Sequence, residues 1–199
     1  MNYIIAVNTY NRPVKLVLRC LESCLTIPAE TEWIFFCDDD GFPDDNYSVV
    51  LKEIINKNPK LDLLGGVYLR EDNKDYYNSR QKIKGGIKSF IDTKKIMGSN
   101  LVVKAKTFDE LGRFSPDFGV GAFWGAGEET DLVWKAYFID TQINFFHELI
   151  IYHPPILSRS LWGEMQKSYT YGVGKAGLVA KWLFKKGKFV VLYELFEML

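Results

Sequence analysis

Trp33-Ile34-Phe35-Phe36-Cys37-Asp38-Asp39-Asp40-Gly41-Phe42-Pro43 decides the reading of this chain. Five apolar residues in a row read as a buried strand. Three carboxylates follow where that strand should end, and Gly41 and Pro43 force a turn. Adjacent anions repel one another, so a cation is expected to compensate them. Carboxylate oxygens suit hard ions such as Mg²⁺ or Mn²⁺. A strand terminus in an open α/β sheet is also where ligands usually bind. The competing reading is a solvated acidic turn ahead of a helix.

Composition narrows the class. The 199 residues suit one domain with a sizeable core, and the apolar fraction of 47% excludes disorder. Lys plus Arg equals Asp plus Glu at 25 each, so no global field favours nucleic acid. Cys20, Cys24 and Cys37 form no CxxC pair; Cys20 and Cys24, four apart on an expected helix, read as core thiols, which suits a reducing compartment. No signal-type start precedes the first strand, and no stretch approaches the ~20 apolar residues of a spanning helix. A cytoplasmic location is expected.

Outward from the triplet, Tyr3-Ile4-Ile5-Ala6-Val7 reads as a first strand, broken by Asn8-Thr9-Tyr10-Asn11-Arg12-Pro13. Val14, Val17, Leu18, Leu21 and Leu25 then recur at helical spacing. This is a βα unit, and its loop shares a sheet edge with the triplet if the two strands are parallel. Past the triplet, a helix opens at Asp44 or Asp45 with the stripe Tyr47, Val50, Leu51, Ile54 and Ile55. Asn58-Pro59 stops it. Leu61 to Leu69 is another strand, with Gly65-Gly66 implying close backbone approach. Glu71 to Lys84 reads as an exposed loop. A strand within Ile96–Val103 and a short helix from Thr107 to Leu111 follow.

Phe118 to Gly127 holds four glycines and two large aromatics, which is a loop packed on a ligand or a strand edge. Trp124 in it suits either contact with a ligand or simple anchoring. Glu128-Glu129-Thr130-Asp131 then opens a helix, where the dipole favours anions. Capping accounts for one or two of these acids. Ile143 to Tyr152 is strand-like and ends at His153-Pro154-Pro155, a turn or a metal ligand at a strand end. From Ile156 on, Lys175, Lys181, Lys185, Lys186 and Lys188 are interleaved with apolar residues. That pattern fits a helix on a membrane surface, or one packed on the domain with its lysines outward.

In this order the motifs resemble the family 2 glycosyltransferases of GT-A fold. Ile5 to Pro13, Trp33 to Pro43, Gly127-Glu128-Glu129-Thr130-Asp131-Leu132 and His153-Pro154 carry the resemblance across residues 3 to about 155. It implies an α/β, Rossmann-like, mixed and mostly parallel central sheet flanked by helices, reduced in size. Residues 1–155 would be the catalytic domain and 156–199 a basic helical tail. The implied reaction moves a sugar from a nucleotide-diphosphate donor to an acceptor hydroxyl, with inversion, in polysaccharide or glycolipid synthesis. Asp38, Asp40 and His153 would hold Mn²⁺ or Mg²⁺. Asn8, Tyr10, Arg12 and Asp39 would contact the nucleotide. Glu129 would be the base with Asp131 as fallback, and Trp124, Gly127 and Glu128 would meet the acceptor sugar.

One interval departs from the pattern. Only Pro13 to Glu32 separates the first loop from the acidic strand, where relatives place a further strand with a nucleotide-contacting Asp. The chain is therefore either a pared-down transferase or a remnant that binds glycan, membrane or a partner subunit without catalysis. A less covered sheet edge suits a homo-oligomer. The resemblance implies a glycan or lipid-linked acceptor, and the basic tail would meet it at the inner face of a membrane.

Overall fold

The computed structural model describes residues 3–8, 32–155 and 160–196, with the backbone alone for 3–8, 195 and 196. Tyr10, Arg12, the helix expected over Val14–Leu25, Cys20, Cys24 and the Asn8 side chain lie outside that description. The strands are β1 (Tyr3–Asn8), β2 (Trp33–Asp38), β3 (Phe42–Pro43), β4 (Leu63–Arg70), β5 (Leu101–Lys104) and β6 (Ile143–His153). The helices are α1 (Tyr47–Lys57), α2 (Ala105–Glu110), α3 (Glu128–Phe138), α4 (Leu161–Ala180) and α5 (Tyr193–Phe196).

The chain divides into two compact units. The first holds residues 1–112 and 133–155; the second holds 113–132 and 156–199. The residues expected as a separate tail thus share their unit with the glycine–aromatic loop and the first turn of α3.

In the first unit the strands form one sheet in the order β1-β2-β5-β4-β6-β3. The expected mostly parallel pairing needs correction. Among the described strands β1 pairs β2 and β4 pairs β6 in parallel, while β2–β5, β4–β5 and β3–β6 are antiparallel. Two reversals across β5 leave β2 and β4 pointing the same way. So β1, β2, β4 and β6 share one direction, and β5 and β3 oppose them. A four-residue apolar strand such as Leu101–Lys104 carries no sequence mark of its direction.

β2 alternates buried and half-buried residues, and Trp33, Phe35 and Cys37 lie in the core. The stripe Tyr47, Leu51 and Ile54 of α1 packs on them, as its spacing predicts. Each such burial contributes about 1.5–3 kcal/mol. Gly65 and Gly66 are where backbones close up: a Cβ on Gly66 would stand 2.2 Å from the Leu149 carbonyl oxygen. There β6 carries three residues more than β4, between the pairs Gly66–Phe146 and Val67–Ile150. Asn100 fills the irregularity by donating to the carbonyls of Val67 and Leu149, both at 3.0 Å, and accepting from Tyr47 Oη at 2.7 Å.

The segment after β4 departs from the exposed loop expected of Glu71–Lys84. It doubles back, bridging Tyr76 to Leu69 and donating from Tyr77 N to Tyr68 O at 3.1 Å. Gln81 is fully buried; it accepts from Tyr68 N at 3.0 Å and donates to Lys95 O at 2.8 Å. Gln81 thus satisfies backbone groups inside the fold, while residues 72–75 and 82–84 stay exposed as expected.

Candidate functional site

Because β1, β2, β4 and β6 share a direction, their C-terminal ends collect at one sheet edge. Asp38 ends β2, and Arg70 and His153 are register partners at the ends of β4 and β6. Asp39 and Asp40 follow Asp38 in a turn closed by Gly41 N donating to Asp38 O at 3.2 Å. The turn leads into β3, which pairs with Tyr152 and Ile151 beside His153. Gly41 sits close to its neighbours at the crossing: a Cβ there would meet Ile151 at 3.3 Å and Tyr68 at 3.6 Å. Asp39 and Asp40 are buried. The solvated acidic turn therefore gives way to a buried one.

His153 is held at both ends. Its Nδ1 contacts the carbonyl of Pro154, which can only accept, so Nδ1 carries the proton. Tyr77 Oη donates to the same carbonyl at 2.7 Å and stands 3.0 Å from Nδ1. Nε2 is then the nitrogen able to take a second proton or a metal ion, and it stands 3.2 Å from Asp40 Oδ1. The ring is fixed further by edge contacts to Tyr68 and Tyr77, with centroids at 5.4 and 4.9 Å. Tyr77→Phe keeps the ring and removes the hydroxyl. It is expected to lower Mn²⁺ affinity about tenfold, the effect of losing a group that orients a ligand, as measured by calorimetric titration. Unchanged affinity would show that Tyr77 does not orient the imidazole for a metal.

Asp38 accepts from Tyr68 Oη at 3.3 Å. Burial first, and then the charge of Asp40, raise its carboxyl above the ordinary value of 3.8. Burial and the Asp38 charge push the Tyr68 hydroxyl up as well, so it remains a donor. The sign of the Asp38 effect follows from linkage. The folded state binds the extra proton more tightly, so the metal-free protein loses stability as pH rises from 3.8 through the raised value. Asp38→Asn is therefore expected to raise the Tm of the metal-free protein at neutral pH and to shrink the rise in Tm on adding Mn²⁺. Thermal denaturation with and without the ion measures both; a lower metal-free Tm would contradict the argument.

Among the described residues, no three of His, Cys, Asp and Glu converge closely enough to hold a metal ion by themselves. The donor set nonetheless suits a divalent ion that completes its shell from phosphate and water oxygens. It offers hard carboxylates beside an imidazole whose outer nitrogen is already committed.

The second unit holds the other predicted cluster. Gly119, Gly121, Gly125 and Gly127 all have positive φ. Their loop packs on α4: a Cβ on Gly177 would stand 2.3 Å from the Trp124 ring, and one on Gly174 would stand 2.6 Å from the Ala126 carbonyl. Trp124 thus has a packing role, with Phe118 stacked at 6.4 Å and Phe123 edge-on at 4.9 Å. Gly127 at φ +101 opens α3, and a Cβ there would strike Leu178 at 2.7 Å. Glu128 and Glu129 are half-buried in its first turn, and the Glu128 carboxyl lies over Gly119. Asp131 is different: it is 0% exposed, and accepts from Lys181 Nζ at 2.7 Å and Trp182 Nε1 at 2.9 Å. That geometry ties the first turn of α3 to the residues that follow α4.

Sequence reasoning missed Tyr68 and Tyr77. The mark of Tyr77 was two adjacent tyrosines inside a polar stretch, which a freely solvated loop has no use for.

No family model matches the sequence, and no curated protein does. In fold the chain is similar to solved glycosyltransferases. With S. aureus TarS 1–349 the TM-score is 0.60 at 12% identity, over 77% of this chain and 60% of that one. The same protein in complex with UDP-GlcNAc gives 0.56 at 12% identity, over 80% and 60%. Mannosyltransferase PcManGT from Pyrobaculum calidifontis, in complex with GDP-Man and Mn²⁺, gives 0.61 at 12% identity, over 89% and 64%. The chain spans less than two thirds of each of those chains, and its fold is a glycosyltransferase fold.

Proposed function

We propose that this chain is a family 2-like, metal-dependent glycosyltransferase that moves a sugar from a nucleotide-diphosphate donor to an acceptor hydroxyl with inversion. One observation carries the reading: His153 commits Nδ1 to Pro154 and directs Nε2 at Asp40 in the buried acidic turn. The fold similarity to proteins solved with UDP-GlcNAc and with GDP-Man and Mn²⁺ supports it. Asp38, Asp40 and His153 would hold the divalent ion, its shell completed by phosphate and water oxygens, and Asp39 would contact the nucleotide. Bound there, Mn²⁺ or Mg²⁺ would supply Lewis-acid neutralisation of the charge that grows on the departing diphosphate. Asn8, Tyr10 and Arg12 grip the nucleotide. Tyr68 keeps the Asp38 carboxylate oriented. Glu129 takes the proton of the attacking hydroxyl, Glu128 and Gly127 border the acceptor, and Asp131 holds the fold. The acceptor is a glycan or a lipid-linked sugar, and residues 156–199 contact the inner face of a membrane. Among the described residues no helix is long and apolar enough to cross one.

The test is calorimetric binding of UDP, GDP and dTDP and their sugar conjugates, with and without Mn²⁺. Metal-dependent binding of one nucleotide is the expected result. A second reading, a catalytically degenerate glycan-binding or partner subunit, draws on the lack of a ready three-residue metal cage among the described residues. Folded protein that binds no nucleotide would favour it.

A further inference from the structure

α4 ends in a tight, hydrogen-bonded turn that leaves two phenylalanines in water. The helix runs into a π-helical turn over Lys181–Lys185. Gly187 then takes φ +63. The amide of Lys188 donates to Trp182 O at 2.9 Å and that of Gly187 to Leu183 O at 3.0 Å. The Gly187 bond with its positive φ is an αL closure, and the Lys188 bond reaches one residue further back, so the two together fix the path of the chain. Trp182 and Val191 anchor the turn on either side and are buried. Between them Phe184 is 82% exposed, Phe189 73% and Val190 45%.

Single exposed apolar side chains need no explanation. Two aromatic rings presented by a pinned turn, around lysines, do. Lys185 and Lys186 are exposed between the rings, and no acidic residue occurs from Lys175 until Glu194. Glu194 is itself buried and held by Lys175 at 3.3 Å, so it does not offset the local positive charge at the tip. Protein interfaces deplete lysine at their apolar centre. A bilayer boundary favours the combination: rings settle at headgroup depth while lysine stems run along them and place their ammonium groups on lipid phosphates.

We propose that the turn Phe184–Val190 docks the chain on an anionic lipid bilayer, with Phe184 and Phe189 entering the headgroup–acyl boundary and Lys185 and Lys186 facing lipid phosphates. This makes specific the membrane contact of residues 156–199 given above, and it stands independently of the transferase chemistry. The experiment is flotation of the full chain with phosphatidylcholine vesicles and with phosphatidylcholine–phosphatidylglycerol vesicles, at low and high salt. Binding to the anionic vesicles alone, weakened by salt, is expected. Phe184→Ala/Phe189→Ala and Lys185→Glu/Lys186→Glu should each lower it more than tenfold, with Tm and nucleotide binding unchanged. Wild-type binding that both variants retain overturns the assignment to this turn and leaves the contact elsewhere in the unit, at the exposed Trp162 and Tyr169 for example. No vesicle binding by the wild type overturns both the turn and the wider membrane contact, and leaves the nucleotide result untouched. A concentration-dependent oligomer dissolved by the phenylalanine variant, without vesicle binding, overturns the proposal in favour of a second copy of the chain.

Discussion

Asp40→Ala loses metal-dependent nucleotide binding and, with it, about 10³-fold or more of the transfer rate. The side chain is 5% exposed, with one carboxylate oxygen 3.2 Å from His153 Nε2. Removing it takes away the anion that the imidazole faces and leaves Asp38 as the remaining hard donor at that edge. Asp40→Asn separates charge from shape. It keeps the volume and an acceptor oxygen, so it should fold as the wild type does and still fail to bind Mn²⁺ tightly. Calorimetric Mn²⁺ titration, with circular dichroism as the control for folding, reads both variants. Wild-type metal affinity in Asp40→Ala would move the site elsewhere in the chain.

Asp131→Ala destabilises the second unit by about 3–5 kcal/mol, because it strands a half-buried Lys181 ammonium and the indole N–H of Trp182. Melting should come about 10 °C earlier, with the loss concentrated in signals from residues 113–132 and 160–196. Asp131→Asn should lose less, since the amide oxygen can still accept from Trp182. A catalytic base behaves otherwise: its loss lowers kcat and leaves Tm alone. Full stability with abolished transfer in Asp131→Ala would return it to the base's place, which the proposed function gives to Glu129.

The contrast between these two carboxylates marks what the sequence could convey. The apolar run ending in Asp38 and the Gly-Pro turn after it are local signals, and the strand and the buried acidic edge follow from them. Tyr47, Leu51 and Ile54 were legible for the same reason, since helical spacing names the buried face. Asp131 was legible only as a helix-start acid, because its partner Lys181 lies 50 residues away. Tyr77 reaches His153 across 76 residues, so its stretch reads as a loop. The direction of β5 depends on pairing with two strands distant in sequence, and nothing within Leu101–Lys104 records it.

α4 contains Gly163, Gly172, Gly174 and Gly177 within its 20 residues. Relative to alanine each lowers helix stability by about 1 kcal/mol, so roughly 4 kcal/mol of intrinsic helicity is missing. Two of these glycines are also the places where the Trp124 ring and the Ala126 carbonyl sit. The helix therefore borrows its order from the loop that its own glycines admit. A chain shortened by cutting at residue 155 would not release a ready-made helical module. Residues 1–155 would keep the whole first unit, while the cut parts 113–132 from 156–199 and so divides the contacts on which the helix of the second unit depends.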